Sequence, residues 1–317
     1  MDRVTEFTHF RDSLINLKPR KAVILGTGYI SLELAETLTR LGIHTTIIGR
    51  SPRVLSAFDA EMAQRVAQHL LDNGVELLLN EQISEILTAH NRVLGILTKT
   101  GRRVDADVVI LATGIQPNVE LAQQAGIALG VTGAIQVNQA MQTNIETIYA
   151  AGDCAESLHR ITGTAIWQPL GDTANLQGRV AGENAAGGNA VFAGCLGTAI
   201  FKTFDFNVAI TGLSETAARQ HGFEVIAVEV KGLDRARYYP NAKSSTLKLI
   251  ADKNSGRLLG AQAVGCGASD KLIDIVATAL LGNLSCADLE NADLAYSPPF
   301  SPVLSPVIVA AGLLNNR

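Results

Sequence analysis

A glycine-rich segment near the N-terminus has the residue types and spacing of a phosphate-binding loop. Gly26, Gly28 and Ser31 form the pattern G-x-G-x-x-S between an apolar run and an amphipathic stretch. The first glycine permits a tight turn, the second lets phosphates approach the backbone, and the third position needs a small side chain. The helix that follows would hold a pyrophosphate on its free N–H groups. The alternative is a glycine turn that only packs a helix against a strand.

The end of the second predicted strand bears on which dinucleotide binds. A site that prefers NAD usually ends this strand with Asp or Glu, which takes the ribose hydroxyls. Gly49 stands there instead, followed by Arg50 and Arg53. Because a guanidinium pairs well with a phosphate, we predict NADPH, with NADH still open. The alternative is that both arginines are solvated loop residues.

The hydrophobic pattern around the loop predicts the elements that position it. Strands and helices alternate as βαβαβ, which is typical of a doubly wound parallel sheet with right-handed crossovers. A β-meander follows, and an α+β layer begins near residue 197. Four prolines between 298 and 306 predict an extended tail without helix. The first elements are strands at 21–25, 44–48, 75–79 and 107–111, helices at about 29–41 and 60–73, and three short strands between 83 and 106.

Composition and charge exclude several classes of function. The 317 residues are 47% hydrophobic and 18% charged, as in ordinary soluble globular proteins. The net charge of −4 provides no basic surface for nucleic acid. No apolar run reaches the roughly 20 residues of a membrane helix, and the charged start lacks a signal-peptide core. The scattered cysteines predict a cytoplasmic protein without a metal site or dithiol motif: Cys154, Cys195, Cys266 and Cys286.

Four stretches together resemble the pyridine nucleotide-disulfide oxidoreductases, flavoproteins in which NAD(P)H reduces FAD and FAD then reduces a cysteine. They are 21–36, which contains the glycine loop, Ile-Leu-Ala-Thr-Gly-Ile-Gln-Pro-Asn at 110–118, Thr-Ile-Tyr-Ala-Ala-Gly-Asp-Cys at 147–154, and Asp-Leu-Ala-Tyr-Ser-Pro-Pro-Phe at 293–300. The last is similar to the dimerisation tail of the coenzyme A-disulfide reductase and NADH oxidase/peroxidase branch. The resemblance implies a homodimer of α/β class, with a Rossmann-type NAD(P) domain that carries a β-meander, a partial FAD domain and a C-terminal α+β dimerisation domain.

The resemblance also implies roles at the start of the first long helix. Tyr29 matches the tyrosine that covers the flavin until the nicotinamide displaces it, and Glu33 matches an acid that faces the flavin. The alternatives are an aromatic residue packed on the sheet and a solvated carboxylate. Because Glu33 lies between two leucines, we expect its carboxylate to be buried with a partner. The predicted cofactor-binding residues are Gly26, Gly28, Tyr29, Ile30, Ser31, Arg50, Arg53, Gly114, Gly152 and Asp153.

Further roles fall in the second half of the chain. Asp153 matches the acid that accepts a hydrogen bond from the flavin ribityl chain, although it could serve only in a turn or cap. Tyr238, Tyr239 and Tyr296 match tyrosines that approach the thiol site of the partner subunit, with dimer packing as the alternative. Cys154 is expected to be a small buried apolar residue.

The resemblance divides the chain into a linker or remnant helix at 1–18, an NAD(P)-binding domain at 19–114, the C-terminal half of an FAD domain at 115–193 and a dimerisation domain at 194–317. The family's first G-x-G-x-x-G unit and its redox cysteine have no counterpart in this sequence. We therefore expect a truncated sequence, a truncated gene or one product of a split gene. A separate chain that supplies the FAD segment stays open.

The preferred reaction is the FAD-dependent reduction of coenzyme A disulfide by NAD(P)H, because the double tyrosine and the tail most resemble that branch. An NADH oxidase or peroxidase of the same family, acting on oxygen or peroxide, is the nearest alternative. A non-catalytic remnant that binds NADPH and dimerises is the second alternative.

Overall fold

The computed structural model describes residues 4–316, which form two compact units. The first unit contains the residues up to Gly114 together with Phe201–Phe206. The second contains Ile115–Ile200 and the residues from Asn207 onward. The four-segment division of the chain stays a prediction.

A parallel sheet forms the centre of the first unit. The elements of this unit are α1 (Val4–Leu17), β1 (Lys21–Leu25), α2 (Tyr29–Arg40), β2 (His44–Gly49), α3 (Ala60–Asp72), β3 (Glu76–Leu79), β4 (Ile83–Ala89), β5 (Arg92–Thr98), β6 (Arg103–Asp105) and β7 (Val108–Leu111). The sheet has four strands in the order β3-β2-β1-β7. The strands pair in parallel, and the predicted doubly wound arrangement is confirmed.

Burial explains the hydrophobic pattern of β1, α2 and β2, in which two apolar strands flank an amphipathic helix. β1 lies between β2 and β7, so Ala22, Val23 and Ile24 are almost completely inaccessible. α2 buries Leu32, Ala35 and Leu38, which are spaced to lie on one helical face. The meander β4-β5-β6 is a separate antiparallel sheet, as predicted.

An antiparallel layer dominates the second unit. The remaining elements are α4 (Glu120–Gln124), β8 (Ser157–Leu158), β9 (Ala165–Ile166), α5 (Gly171–Ala185), β10 (Ala199–Thr203), β11 (Phe206–Gly212), α6 (Glu215–Gln220), β12 (Val225–Leu233), β13 (Ser244–Asp252), β14 (Leu258–Gly265), α7 (Ser269–Leu281), α8 (Cys286–Glu290) and α9 (Pro306–Asn315). A five-stranded sheet has the order β10-β11-β14-β13-β12. Its core includes residues of β13, β14, α7 and α9. None of the helices within residues 4–316 is both long and apolar enough to span a membrane.

The C-terminal tail corrects one prediction. The prolines predict an extended segment, but Pro306 begins α9, which runs to Asn315. Ser305 caps this helix by accepting a hydrogen bond from the N–H of Val307. Proline is tolerated in the first turn of a helix because its missing N–H would have no intrahelical acceptor there. The prediction of a tail without helix is therefore wrong from Pro306 onward.

Candidate functional site

The glycine loop lies where the ends of three parallel strands meet. The N–H of Gly26 donates to the carbonyl of Ile48 at 2.8 Å, and the N–H of Ala112 donates to the carbonyl of Leu25 at 2.8 Å. Gly26 has φ +121°, and a Cβ at this position would collide with the carbonyl oxygen of Ala112. Only glycine fits here without strain. Gly114, with φ +118°, follows β7 at the same edge of the sheet.

The N-terminus of α2 is open to an anion. Gly28 is the N-cap and provides no side-chain cap. Its missing Cβ would meet nothing within 4 Å apart from its chain neighbours. The N–H of Ser31 donates to the carbonyl of Gly28 at 3.0 Å. The N–H groups of Tyr29 and Ile30, at the very start of the helix, have no intrahelical acceptor and are available to a ligand. Ser31 is fully buried, and its hydroxyl has no partner within the described residues. The half-exposed Ile30 also lies in this first turn.

The segment after β2 is joined to the glycine loop. The N–H of Leu55 donates to the carbonyl of Thr27 at 2.9 Å. A Cβ on Gly49 would collide with the Thr27 side chain. Gly49 therefore has a packing role of its own, and its presence cannot be attributed to cofactor choice alone.

Both predicted arginines of this segment have unused donors. Arg50 is exposed, and its guanidinium makes no hydrogen bond or ion pair with any residue that the structure describes. Arg53 donates from Nη2 to the carbonyl of Ser56 at 3.4 Å, while its Nε is buried without a partner in the described chain. This donor set suits a phosphate group, because guanidinium nitrogens form strong charge-assisted hydrogen bonds to phosphate oxygens.

Tyr29 and Glu33 occupy the first turns of α2. The Tyr29 side chain is 41% exposed, and its ring lies 6.1 Å from the ring of Phe201, centroid to centroid. Glu33 is also exposed, and its carboxylate has no partner among residues 4–316, so the expectation of a buried, paired acid is wrong. Partial desolvation and the nearby carboxylate of Glu36 raise the pKa of Glu33.

A buried glutamine fixes the Gly152-Asp153 turn within the second unit. Gly152 has φ +82°, and its N–H donates to Oε1 of Gln177 at 2.8 Å. Gln177 in turn donates from Nε2 to the hydroxyl of Ser157 at 2.8 Å. The Asp153 carbonyl accepts from Nε1 of Trp167 at 2.8 Å, and its exposed carboxylate is unpaired in the described part of the chain. The turn thus presents a free carboxylate on a fixed backbone.

Two of the three predicted tyrosines come together. A hydrogen bond between the hydroxyls of Tyr238 and Tyr296 raises the pKa of Tyr296. The segments that carry them are joined by the N–H of Ala236, which donates to the carbonyl of Pro298 at 3.0 Å. Tyr239 is 38% exposed and lies on the same turn as Tyr238.

The cysteines fall into two groups. Cys195 and Cys286 are buried, and burial raises the pKa of both thiols, that of Cys286 to about 11. Cys154 and Cys266 are half-buried. The Cys154 thiol donates to the carbonyl of Ala151 at 3.5 Å. Cys154 is thus more accessible than the predicted small buried residue.

Two family models match the chain, and they cover different parts of it. The model of the pyridine nucleotide-disulphide oxidoreductases matches residues 2–169. The model of the dimerisation domain of the same oxidoreductases matches residues 198–307.

Individual proteins resemble the chain over most of its length. A CoA-dependent NAD(P)H sulfur oxidoreductase of Pyrococcus furiosus is 44% identical, and the match covers 94% of this chain and 66% of that protein. A coenzyme A disulfide reductase of Staphylococcus aureus is 33% identical, with coverages of 89% and 63%. The structure of an NAD-dependent persulfide reductase from A. fulgidus is 43% identical with a TM-score of 0.95, and the match covers 99% of this chain and 58% of that one.

The chain therefore spans about two thirds or less of each of these three proteins. Each of the three matches as one longer chain, so the comparisons do not support a separate chain that supplies an FAD segment. The two family models agree with the parallel sheet around the glycine loop and with the antiparallel layer that follows it. On the combined strength of these matches, the chain belongs to the pyridine nucleotide-disulphide oxidoreductase family.

Proposed function

We propose that the protein is an FAD-dependent oxidoreductase in which NAD(P)H reduces a sulfur–sulfur bond carried on coenzyme A, in a disulfide or a persulfide. The observation that carries the proposal is the open, uncapped N-terminus of α2 behind Gly26 and Gly28, in a chain that belongs to this family. The relatives named for coenzyme A disulfide reduction and for CoA-dependent sulfur reduction support the substrate class.

The residues of the chain would divide the work between binding and orientation. The first-turn N–H groups of α2 would hold the pyrophosphate of the dinucleotide, and Tyr29 would border its nicotinamide half. The Asp153 carboxylate, free in the described chain, suits a hydroxyl donor such as the ribityl chain of FAD. The chemistry that bound FAD would supply is two-electron transfer between the nicotinamide and sulfur. The partly desolvated Glu33 would add a carboxylate beside Tyr29 on the same helix.

NADPH is the proposed preferred dinucleotide. Arg50 and Arg53 have unused guanidinium donors, and no carboxylate stands at Gly49 to take ribose hydroxyls. We expect the double variant Arg50→Ala/Arg53→Ala to weaken NADPH binding at least about tenfold and NADH binding less than about twofold. The two arginines would form charge-assisted hydrogen bonds to the 2′-phosphate, which NADPH has and NADH lacks. Arg103→Ala, an exposed arginine on β6, is the matched control. Equal weakening of both dinucleotides in calorimetry would refute the preference.

A homodimer is the proposed assembly, because the family's dimerisation domain matches residues 198–307. In that dimer the Tyr238–Tyr296 pair would approach the thiol site of the partner subunit. Sedimentation of the purified protein tests the dimer. Tyr296→Phe tests the pair, since it removes the shared hydrogen bond and should raise the KM for coenzyme A disulfide more than it lowers kcat. We also propose a cytoplasmic location, because none of the four cysteines, all within the described residues 4–316, is in a disulfide.

One assay separates the proposed function from its alternatives. The purified protein is titrated with NADPH while its visible spectrum is recorded, and NADPH consumption is then followed with coenzyme A disulfide, with polysulfide plus coenzyme A, or with oxygen. Flavin absorbance that bleaches with NADPH and recovers with either sulfur substrate is the expected result. Recovery with oxygen alone would indicate an oxidase. A colourless protein that binds nucleotide would indicate a non-catalytic binding module.

A further inference from the structure

Glu81 is a half-buried acid just beyond the end of β3, and its backbone is hydrogen-bonded to the end of β2. Its N–H donates to the carbonyl of Gly49 at 3.0 Å, and the N–H of Asn80 donates to the carbonyl of Ser51 at 3.1 Å. Asn80 has φ +58°, a left-handed conformation that asparagine adopts more readily than most residues. These bonds place Glu81 beside Gly49, the position where an NAD site usually has its acid.

Hydroxyl groups of the turn between β5 and β6 hold the Glu81 carboxylate. Thr100 Oγ1 donates to Oε1 of Glu81 at 2.8 Å and lies 3.0 Å from Oε2. Because the Thr100 hydroxyl has a single hydrogen, Thr98 must be the donor in the 2.8 Å hydrogen bond between the two threonines. Thr98 Oγ1 in turn accepts from the N–H of Arg102 at 3.1 Å. This chain of hydrogen bonds ends on the carboxylate and fixes its position.

The Glu81 carboxylate has acceptor capacity that the protein does not use. An ionised carboxylate offers about four lone-pair sites. Thr100 is its only hydrogen-bond donor among residues 4–316, and no lysine, arginine or histidine of that range forms an ion pair with it. A partly buried anion without a cation favours a ligand that brings hydrogen-bond donors.

The order of the strands indicates which part of the dinucleotide reaches Glu81. Neighbouring strands of the sheet β3-β2-β1-β7 lie about 4.8 Å apart. The pyrophosphate belongs at the start of α2, which follows β1, and the ribose of the adenosine half belongs at the end of β2. The base is the next group along the molecule, so it reaches the end of β3. Adenine has a hydrogen-bond donor, its 6-amino group, on the edge remote from the ribose.

We propose that Glu81 is a specificity-determining residue for the base of the dinucleotide: its carboxylate accepts a hydrogen bond from the 6-amino group of adenine, and Thr100 positions the carboxylate. The inference rests on the proposed function, which places the dinucleotide at the glycine loop. A carboxylate that acted at the ribose would instead bind the 2′-hydroxyl of NADH and repel the 2′-phosphate of NADPH. Hypoxanthine separates these two roles, because it has a carbonyl oxygen in place of the amino group and leaves the ribose unchanged.

The first measurement compares NADP+ with nicotinamide hypoxanthine dinucleotide phosphate by calorimetry. The wild-type protein should bind the adenine form at least about tenfold more tightly, because hypoxanthine replaces a charge-assisted hydrogen bond by two facing acceptors. Glu81→Ala should weaken NADP+ and bring the ratio of the two Kd values below about two. Glu81→Gln should also lower the ratio, because its amide can donate to the carbonyl oxygen, and it replaces the alanine variant if that variant does not fold. Glu85→Ala, which removes an exposed acid of β4, is the matched control and should leave the ratio unchanged.

The second measurement tests the positioning role of Thr100. Thr100→Val removes the hydroxyl and leaves the carboxylate, so the ratio of the two Kd values should fall less than in Glu81→Ala. Thr88→Val, at an exposed position of β4, is its matched control. An unchanged ratio in Thr100→Val would overturn the positioning role.

Repeating the first measurement with NAD+ and its hypoxanthine analogue should give the same ratios, because these molecules lack only the 2′-phosphate. A wild-type ratio near one, or a ratio that Glu81→Ala does not change, would overturn the inference. If Glu81→Ala weakened NAD+ and tightened NADP+ whichever base they carried, Glu81 would act at the ribose, and the inference would again be overturned. A wild-type protein that binds none of the four dinucleotides would overturn the proposed function, and the inference with it.

Discussion

Alanine substitutions at the two glycines of the loop should affect different properties: Gly26→Ala the stability of the fold, and Gly28→Ala the affinity for the dinucleotide. Gly26 has φ +121°, and a Cβ there meets the carbonyl oxygen of Ala112, whose N–H is bonded to Leu25. The carbonyl cannot retreat without disturbing the end of β7. An unfavourable backbone conformation costs about 1–3 kcal/mol, and the clash adds to it, so we expect Gly26→Ala to destabilise the fold by about 2–4 kcal/mol.

Gly28→Ala should leave the fold nearly unchanged. Its φ of −80° suits alanine, and the space around the missing Cβ is open. Alanine is the poorer N-cap by about 0.5–1 kcal/mol, which is offset by about 0.4–1 kcal/mol from the reduced freedom of the unfolded chain. The added methyl stands where phosphates would approach the backbone, so the affinity for the dinucleotide should fall at least about tenfold.

The assay pairs urea unfolding, followed by circular dichroism, with calorimetric titration of NADPH. The expected result is a lower unfolding midpoint for Gly26→Ala and a wild-type midpoint with weak binding for Gly28→Ala. The reasoning would be refuted by equal loss of stability in the two variants, or by wild-type affinity in Gly28→Ala. In the second case the open N-terminus of α2 would not be the phosphate site.

Three further predictions concern the second unit. A thiol reagent at pH 8 should label Cys154 and Cys266 rapidly in the folded protein and Cys195 and Cys286 only after unfolding, because burial raises the pKa of the last two; four equal labelling rates would contradict this. Ser285→Ala should reduce the free energy of unfolding by about 1 kcal/mol, since it removes the capping box of α8, and Ser255→Ala, an exposed turn serine, provides the comparison for a serine outside a helix cap. Burial and the nearby His221 lower the pKa of His159 from 6.5, so its stabilising contribution is present above pH 6.5 and is lost as the pH falls through the folded pKa. His159→Gln should therefore flatten the pH dependence of the thermal midpoint below pH 6.5. An unchanged slope would contradict this prediction.

The parts of the fold that depend on local pattern could be predicted from the sequence. β1 has the predicted bounds, and α2 ends within one residue of its prediction, because the apolar run and the helical spacing are strong local signals. The prolines of the tail predict no helix, whereas Pro306 stands in the first turn of α9 behind the Ser305 cap. A prediction from the prolines alone did not consider the cap.

Contacts between distant segments could not be predicted. Gln177 fixes the turn at Gly152 from 25 positions away, and nothing in its neighbouring sequence indicates this role. Phe201 meets Tyr29 across more than half the chain. The exposure of Glu33 could not be predicted either, because two flanking leucines do not show whether the side chain between them faces the sheet or solvent. The roles of Tyr29, Glu33 and Gly152 in binding stay predictions.

The contribution of Phe201–Phe206, the tip of the β10–β11 hairpin, to the first unit affects how members of this family could be divided or recombined. The two family models place the boundary between residues 169 and 198, so a cut made there would separate the nucleotide-binding fold from six residues that pack on its helices. A hybrid that joins the first region of this chain to the dimerisation region of a relative would import a foreign hairpin tip onto α2 and α3. The part of the dimerisation region that can be exchanged as an independent module therefore excludes residues 201–206. A graft should keep those six residues from the same protein as the nucleotide-binding region.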